Sequence, residues 1–197
     1  MDRSTGQVIR RCGRANPGNL VSIDIKKLGR IPDGGGCRAN GSETNHGGKP
    51  CVGYAVIDAA VDNHTRLAVA EVHADDKAVT TAGFVQRATS FFAEHGIEVS
   101  QVLTDKDACS RSFVFRDTLG GIEHPRMRPY RAQTNGKVER FHRTLLEEWA
   151  YVRPYRSESE RTAAFDEWLH LYNHHRHHTA IGCSPIERAN NLSDHYL

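Results

Sequence analysis

An α/β fold, a mixed five-stranded sheet flanked by helices, is the architecture this chain predicts. Three observations carry it. Short β-branched stretches fill 20–28, 51–62 and 65–73 and recur at 99–104. Apolar residues at helical spacing fill 77–95 and most of the chain beyond 137. The 197 residues, 38% hydrophobic and 25% charged, suit one ordinary globular domain.

The elements follow in order. Residues 1–19 are polar and basic, broken by Gly13, Pro17 and Gly18, and predict an N-terminal arm or linker before a core over 20–190 and a short tail over 191–197. In LVSIDIKKL, residues 20–28, Val21, Ile23 and Ile25 alternate with Ser22, Asp24 and Lys26, which predicts a strand with Asp24 at its middle. Residues 29–50 are Gly-rich and polar and predict a loop. The runs 51–62 and 65–73, separated by Asn63 and His64, predict a hairpin that completes an antiparallel meander. Residues 77–95 predict a helix that stops at Gly96, and VSQVLT, residues 99–104, a strand ending just before Asp105. A short helix over 110–119 and a fifth strand over 122–128 come next. The loop RPYRAQTNG leads into a long helix on which Val138, Phe141, Leu145 and Trp149 form one stripe, with Glu139 offset from it. A further amphipathic helix spans 158–173 through Phe165, Trp168 and Tyr172. This is the element order of an RNase-H-like fold.

Composition excludes several classes. No run of about 18 uncharged apolar residues exists to cross a membrane. The basic start, MDRSTGQVIRRCGR, has no apolar segment behind it and is no secretory signal, so a cytoplasmic protein is expected. Five cysteines, an odd and widely spaced set without a C-x-x-C pair, predict free thiols. The formal net charge is only +2, but the bases cluster beside the motifs described below, which is what a nucleic-acid partner requires.

Three acids stand where such a fold converges: Asp24 in the first strand, Asp105 after the fourth, and Glu139 in the first turn of a late helix. A carboxylate on a central strand between Ile23 and Ile25 is costly to desolvate and calls for a compensating partner. A divalent cation is one, since Mg²⁺ takes oxygen ligands and is held by a few carboxylates together with phosphate and water. The plainer alternative pairs Asp24 with Lys26 or Lys27, makes Asp105 a helix cap and leaves Glu139 as a dipole partner.

The segments VSIDIKKLGRIPDGGG, VLTDKDACSRS, RPYRAQTNGKVERFHRTLLEEWAY and YNHHRHHTAIGCSP together resemble the catalytic core of bacterial insertion-sequence DDE transposases, the branch similar to retroviral integrase. The likeness runs from about residue 18 to about residue 187. It implies Asp24, Asp105 and Glu139 as catalytic, metal-binding acids and Mg²⁺ or Mn²⁺ as cofactor, two ions per site, with Asp24 bridging them. It implies cleavage at a transposon end followed by transfer of the 3′-hydroxyl to target DNA, by a homo-oligomer that is nucleoid-associated when bound to DNA. Candidate DNA contacts are Lys26, Lys27, Arg131, Gln133, Thr134, Asn135, Lys137, Arg140 and Arg143.

The chain also departs from that pattern. Thr104-Asp105-Lys106-Asp107 replaces the usual T-D-N-G, and the 33 residues between Asp105 and Glu139 are slightly fewer than usual. Some nineteen residues precede the first strand, where relatives carry a helix-turn-helix reader of transposon ends. These departures favour a second reading, a catalytically inactive, truncated transposase remnant that only binds DNA or dimerises. Intact Asp24, Glu139 and Q-T-N-G-K-V-E favour the active enzyme. His170 and His174, one helical turn apart, raise a zinc site, although a helix end packing on the core explains them more simply.

Overall fold

A computed structural model describes residues 15–40, 52–104, 112–125 and 136–191. Strands β1 (Val21–Gly29), β2 (Tyr54–Asp62), β3 (Ala68–His73) and β4 (Val102–Thr104) form one mixed sheet in the order β3-β2-β1-β4. β1 runs antiparallel to β2 and parallel to β4, with Ile23 opposite Thr104 and Asp24 opposite Ala59. A four-residue turn of helix, α1 (Cys37–Asn40), interrupts the loop after β1. The helices are α2 (Ala78–Glu94), α3 (Phe113–Leu119), α4 (Gly136–Leu145), α5 (Glu158–Ala163), α6 (Phe165–His174) and α7 (Pro185–Asn190).

The pleat sorts the strands into two cores. Val21, Ile23 and Ala60 pack with Phe84, Val85, Ala88 and Phe92 of α2 and Phe115 and Leu119 of α3. Leu28, Ile57, Ala59 and Val61 pack on the other face with Val138, Phe141 and Leu145 of α4, Trp149, and Phe165, Trp168 and Tyr172 of α6. Asp24, being opposite Ala59, belongs to the α4 face.

Among the described residues the sheet holds four strands, not the five the sequence predicts. At the fifth position Glu123 makes a single parallel bridge with Gln101, with Val102 N donating to Glu123 O at 2.9 Å and Glu123 N to Ser100 O at 3.0 Å. Pro125, two residues on, has no N–H to donate to a ladder and disfavours some conformations of His124 before it. Residues 126–128 of that expected strand lie outside the described residues.

Gly18, at the end of the segment read as an arm, is buried against the core: its N–H donates to Asp62 Oδ1 at 3.0 Å. Its φ of +72° and the approach of Glu98 O to within 1.9 Å of an added Cβ exclude any side chain there. Asp62 also accepts from His64 N, Thr65 N and Thr65 Oγ1 at 2.7–3.1 Å, which folds the β2–β3 turn.

After α4 the helix widens into a π-helical stretch, Leu146–Ala150, closed by Tyr151 N donating to Leu146 O at 3.0 Å. Trp149 is thereby directed into the core, where its Nε1 donates to Arg161 O at 2.8 Å. The helix expected at 158–173 is two helices, α5 and α6, separated at Ala164, where φ is −85° and ψ is 1°.

Beneath α2, Asp58 is 1% exposed and neither carboxylate oxygen has a hydrogen-bond partner among the described residues. Burial pushes its pKa from 3.8 up to about 6, with the nearby Thr81 hydroxyl offsetting part of the rise and Glu71 and Asp76 adding to it. The folded state therefore holds this proton more tightly than the unfolded chain. Its stabilising effect is complete below the unfolded value of 3.8 and is lost as the pH rises through about 6. Asp58→Asn is expected to match the wild type in urea unfolding near pH 4 and to exceed it by about 2–3 kcal/mol at pH 8. A difference independent of pH would show that Asp58 ionises freely in the fold.

Candidate active site

The site is built on β1 and α4. Backbone pairing on both sides holds β1 at the middle of the sheet, and Asp24 stands on it at the face α4 covers, its side chain 21% exposed. α4 is set by its apolar stripe: Val138, Phe141 and Leu145 are buried, and Phe141 meets the rings of Tyr172 at 5.0 Å and Trp168 at 5.6 Å. That seating leaves Glu139 exposed in the first turn of the helix, where the positive end of the helix dipole favours a carboxylate. His142, three residues on and therefore on the same side of α4 as Glu139, brings its Nε2 to 3.3 Å from Asp24 Oδ2. The imidazole of α4 thus stands against the strand acid, while Glu139 in the first turn of the same helix faces solvent.

The acids of the sheet are not equivalent. Asp62 is fully buried and saturated by the turn it organises, with four donors on its two oxygens. Asp58 lies on the opposite face, under α2. Asp24 combines partial exposure with a polar contact, among the described residues, only to His142. It is the strand carboxylate with capacity left for a cation. The third predicted acid, Asp105, lies outside the described residues; Thr104, immediately before it, pairs with Ile23, immediately before Asp24.

The predicted DNA contacts divide. Arg140 and Arg143 are exposed on α4, the helix that carries Glu139. Lys137 is half-buried and donates to Asn63 O at 3.3 Å. Lys26 is half-buried on the same face of β1 as Asp24, whereas Lys27 points to the other face and pairs with Asp76 at 2.5 Å. Arg131, Gln133, Thr134 and Asn135 lie outside the described residues.

Two residues escaped the sequence reading. His142 belongs to the buried side of α4, and a polar residue four positions after Val138 in an apolar stripe was its signal. Arg66 extends the basic surface: burial first, and Arg140 among the lesser causes, hold its guanidinium below its ordinary value. No local pattern marks it. In the histidine cluster, His170 and His174 stack with ring centroids 4.3 Å apart, but among the described residues no group of three His, Cys, Asp or Glu side chains is placed to hold a metal.

Sheet order and helix placement give the RNase-H-like fold, a mixed sheet flanked by helices, which integrase catalytic cores share. Residues 120–185 match the integrase core domain family, which includes Glu139 and His142. The chain is similar to a chain of the simian T-cell lymphotropic virus intasome in complex with PP2A regulatory subunit B56 gamma, at 17% identity and a TM-score of 0.65 over 93% of its own length, and it spans 59% of that chain. It is likewise similar to the catalytic core domain of BIV integrase, at 18% identity and a TM-score of 0.62, covering 90% of this chain and 97% of that one. The catalytic core domain of HTLV-2 integrase in complex with magnesium aligns at 13% identity with a TM-score of 0.60, over 88% of this chain and 97% of the other. The family match covers residues 120–185, and the likeness to these solved structures is one of fold. Among the described residues, no helix is long and apolar enough to cross a membrane.

Proposed function

We propose that the chain is a metal-dependent DNA strand transferase of the insertion-sequence transposase type, with Asp24, Asp105 and Glu139 as its acids. The observation that carries this reading is Asp24, partly exposed on the central strand beneath α4 and 3.3 Å from His142, with Glu139 exposed in the first turn of that same helix. Both carboxylates are hard oxygen donors, Asp24 retains binding capacity and Glu139 is open to solvent, so the donor set fits Mg²⁺ or Mn²⁺. Bound there, such cations would lower the pKa of the attacking hydroxyl and stabilise charge on the leaving oxygen.

The rest of the work falls to the chain's own residues. Arg140 and Arg143 on α4, with Lys26 beside Asp24, bind phosphates of the strand being cut and hold it over the acids. Glu139 and Asp24, fixed on a helix and a strand rather than on loops, keep their separation while the strand is exchanged. Water first attacks a phosphodiester at the element's end, breaking one P–O bond and freeing a 3′-hydroxyl. That hydroxyl then attacks a phosphodiester of the target, forming one P–O bond as another breaks, with the displaced 3′-oxygen leaving protonated. Each step is a direct displacement, so no covalent protein–DNA intermediate forms.

The test is a pre-branched DNA that mimics a strand-transfer product, incubated with the chain in Mn²⁺, in Mg²⁺ and in EDTA. Resolution in the metal buffers alone, with no DNA covalently attached to protein, is the expected outcome. A folded chain that binds this DNA without ever resolving it would be an inactive remnant.

A further inference from the structure

We infer that His142 is a positioning residue for Asp24, whose carboxylate it orients for the divalent cation through Nε2–H; this rests on the metal-dependent reading given above. His142 lies on the inner side of α4 among Val138, Phe141 and Leu145, its side chain 5% exposed and its ring edge-on to Phe141 at 5.8 Å. Neither ring nitrogen has a hydrogen-bond partner among the described residues. An imidazole buried without partners costs free energy that an apolar side chain at the same place would not.

Among the described residues the polar contact of His142 is Asp24 Oδ2, 3.3 Å from Nε2, close enough for an ion pair although no hydrogen bond is formed. Such contacts are often misaligned before a ligand arrives and tighten when it does. A cation drawing on one side of the Asp24 carboxylate would leave Oδ2 to be fixed by Nε2–H, and groups that fix a ligating carboxylate in this way are part of a metal site's affinity.

Asp24 is held in β1 by its strand neighbours and His142 in α4 by the packing of Phe141 and Leu145, so the contact joins two elements whose places the sheet and the apolar stripe already set.

Mn²⁺ binding to the whole chain, followed by electron paramagnetic resonance of the free ion, tests this without needing turnover. Asp24→Asn serves as reference, His142→Leu and His142→Met remove the donor while filling the space, and His142→Gln restores an N–H in place of Nε2. Asp24→Asn should lose binding, both apolar variants should bind about 10–100-fold more weakly, and His142→Gln should stay within about threefold of wild type. Loss in Asp24→Asn with wild-type binding in folded His142→Leu and His142→Met would overturn the positioning role and leave the metal site standing. Wild-type binding in Asp24→Asn would overturn both. If the apolar variants do not fold, His142→Gln decides: retained binding supports the donor role, and a loss of about tenfold or more in the folded variant overturns it.

Discussion

Asp24→Asn and Glu139→Gln are each expected to lower metal-dependent resolution of branched DNA by about a thousandfold or more, because each removes a ligand from the group that stabilises the transition-state charge. Neither change should disturb the fold. Glu139 is exposed, and Asp24 makes no backbone-fixing hydrogen bonds of the kind that occupy Asp62. Wild-type circular dichroism and thermal midpoints alongside the lost activity would separate chemistry from folding. By the same reasoning Asp62→Asn should damage stability first, since it strips a turn of its charged acceptor. Full activity in both Asp24→Asn and Glu139→Gln would remove these acids from the mechanism.

Arg161→Ala carries the largest expected effect on stability. Its side chain is 1% exposed, and its Nη2 donates to Gly29 O at 3.1 Å and to both oxygens of Glu158 at 2.9 and 2.8 Å. Glu158 in turn accepts from Ile31 N at 3.0 Å, and the Arg161 carbonyl accepts from Trp149. The pair thus ties the end of β1 to α5 and to the π-helical stretch. Removing one partner of a buried ion pair costs about 3–5 kcal/mol, a large share of the roughly 5–15 kcal/mol that holds a domain of this kind together. Urea unfolding should show that loss, with part of it recovered in a double variant that replaces Glu158 by Gln as well. A change below about 1 kcal/mol would mean the pair is solvated.

Much of this was legible in the sequence, for identifiable reasons. β1 alternates strictly, so its period and the place of Asp24 followed from Val21, Ile23 and Ile25. α4 carries a long apolar stripe behind a glycine, and Glu139 had to fall off that stripe. Ser184, Pro185 and Glu187 even spell out a capping box for α7 that the sequence reading passed over.

What was not legible depends on distant contacts. The π-helical widening at Leu146–Ala150 and the break at Ala164 have no glycine or proline to announce them; both accompany the burial of Trp149 and Arg161, which are far from β1 in sequence. Of the expected fifth strand, the described residues show a single bridge at Glu123, next to a proline that cannot donate to a ladder. His142 passed unremarked in the sequence, and it is the packing of α4 on the sheet that turns it toward Asp24. Lys27 carried the charge expected of a DNA contact, but the pleat sends it to the face opposite Asp24, where Asp76 meets it.

The central claim is that Asp24 and Glu139 hold the same divalent cation site, and anomalous scattering from crystals grown with Mn²⁺ addresses it most directly. A manganese peak ligated by both carboxylates is the expected result. Peaks confined to other places, such as the His170 and His174 rings, with none at Asp24 or Glu139, would contradict it.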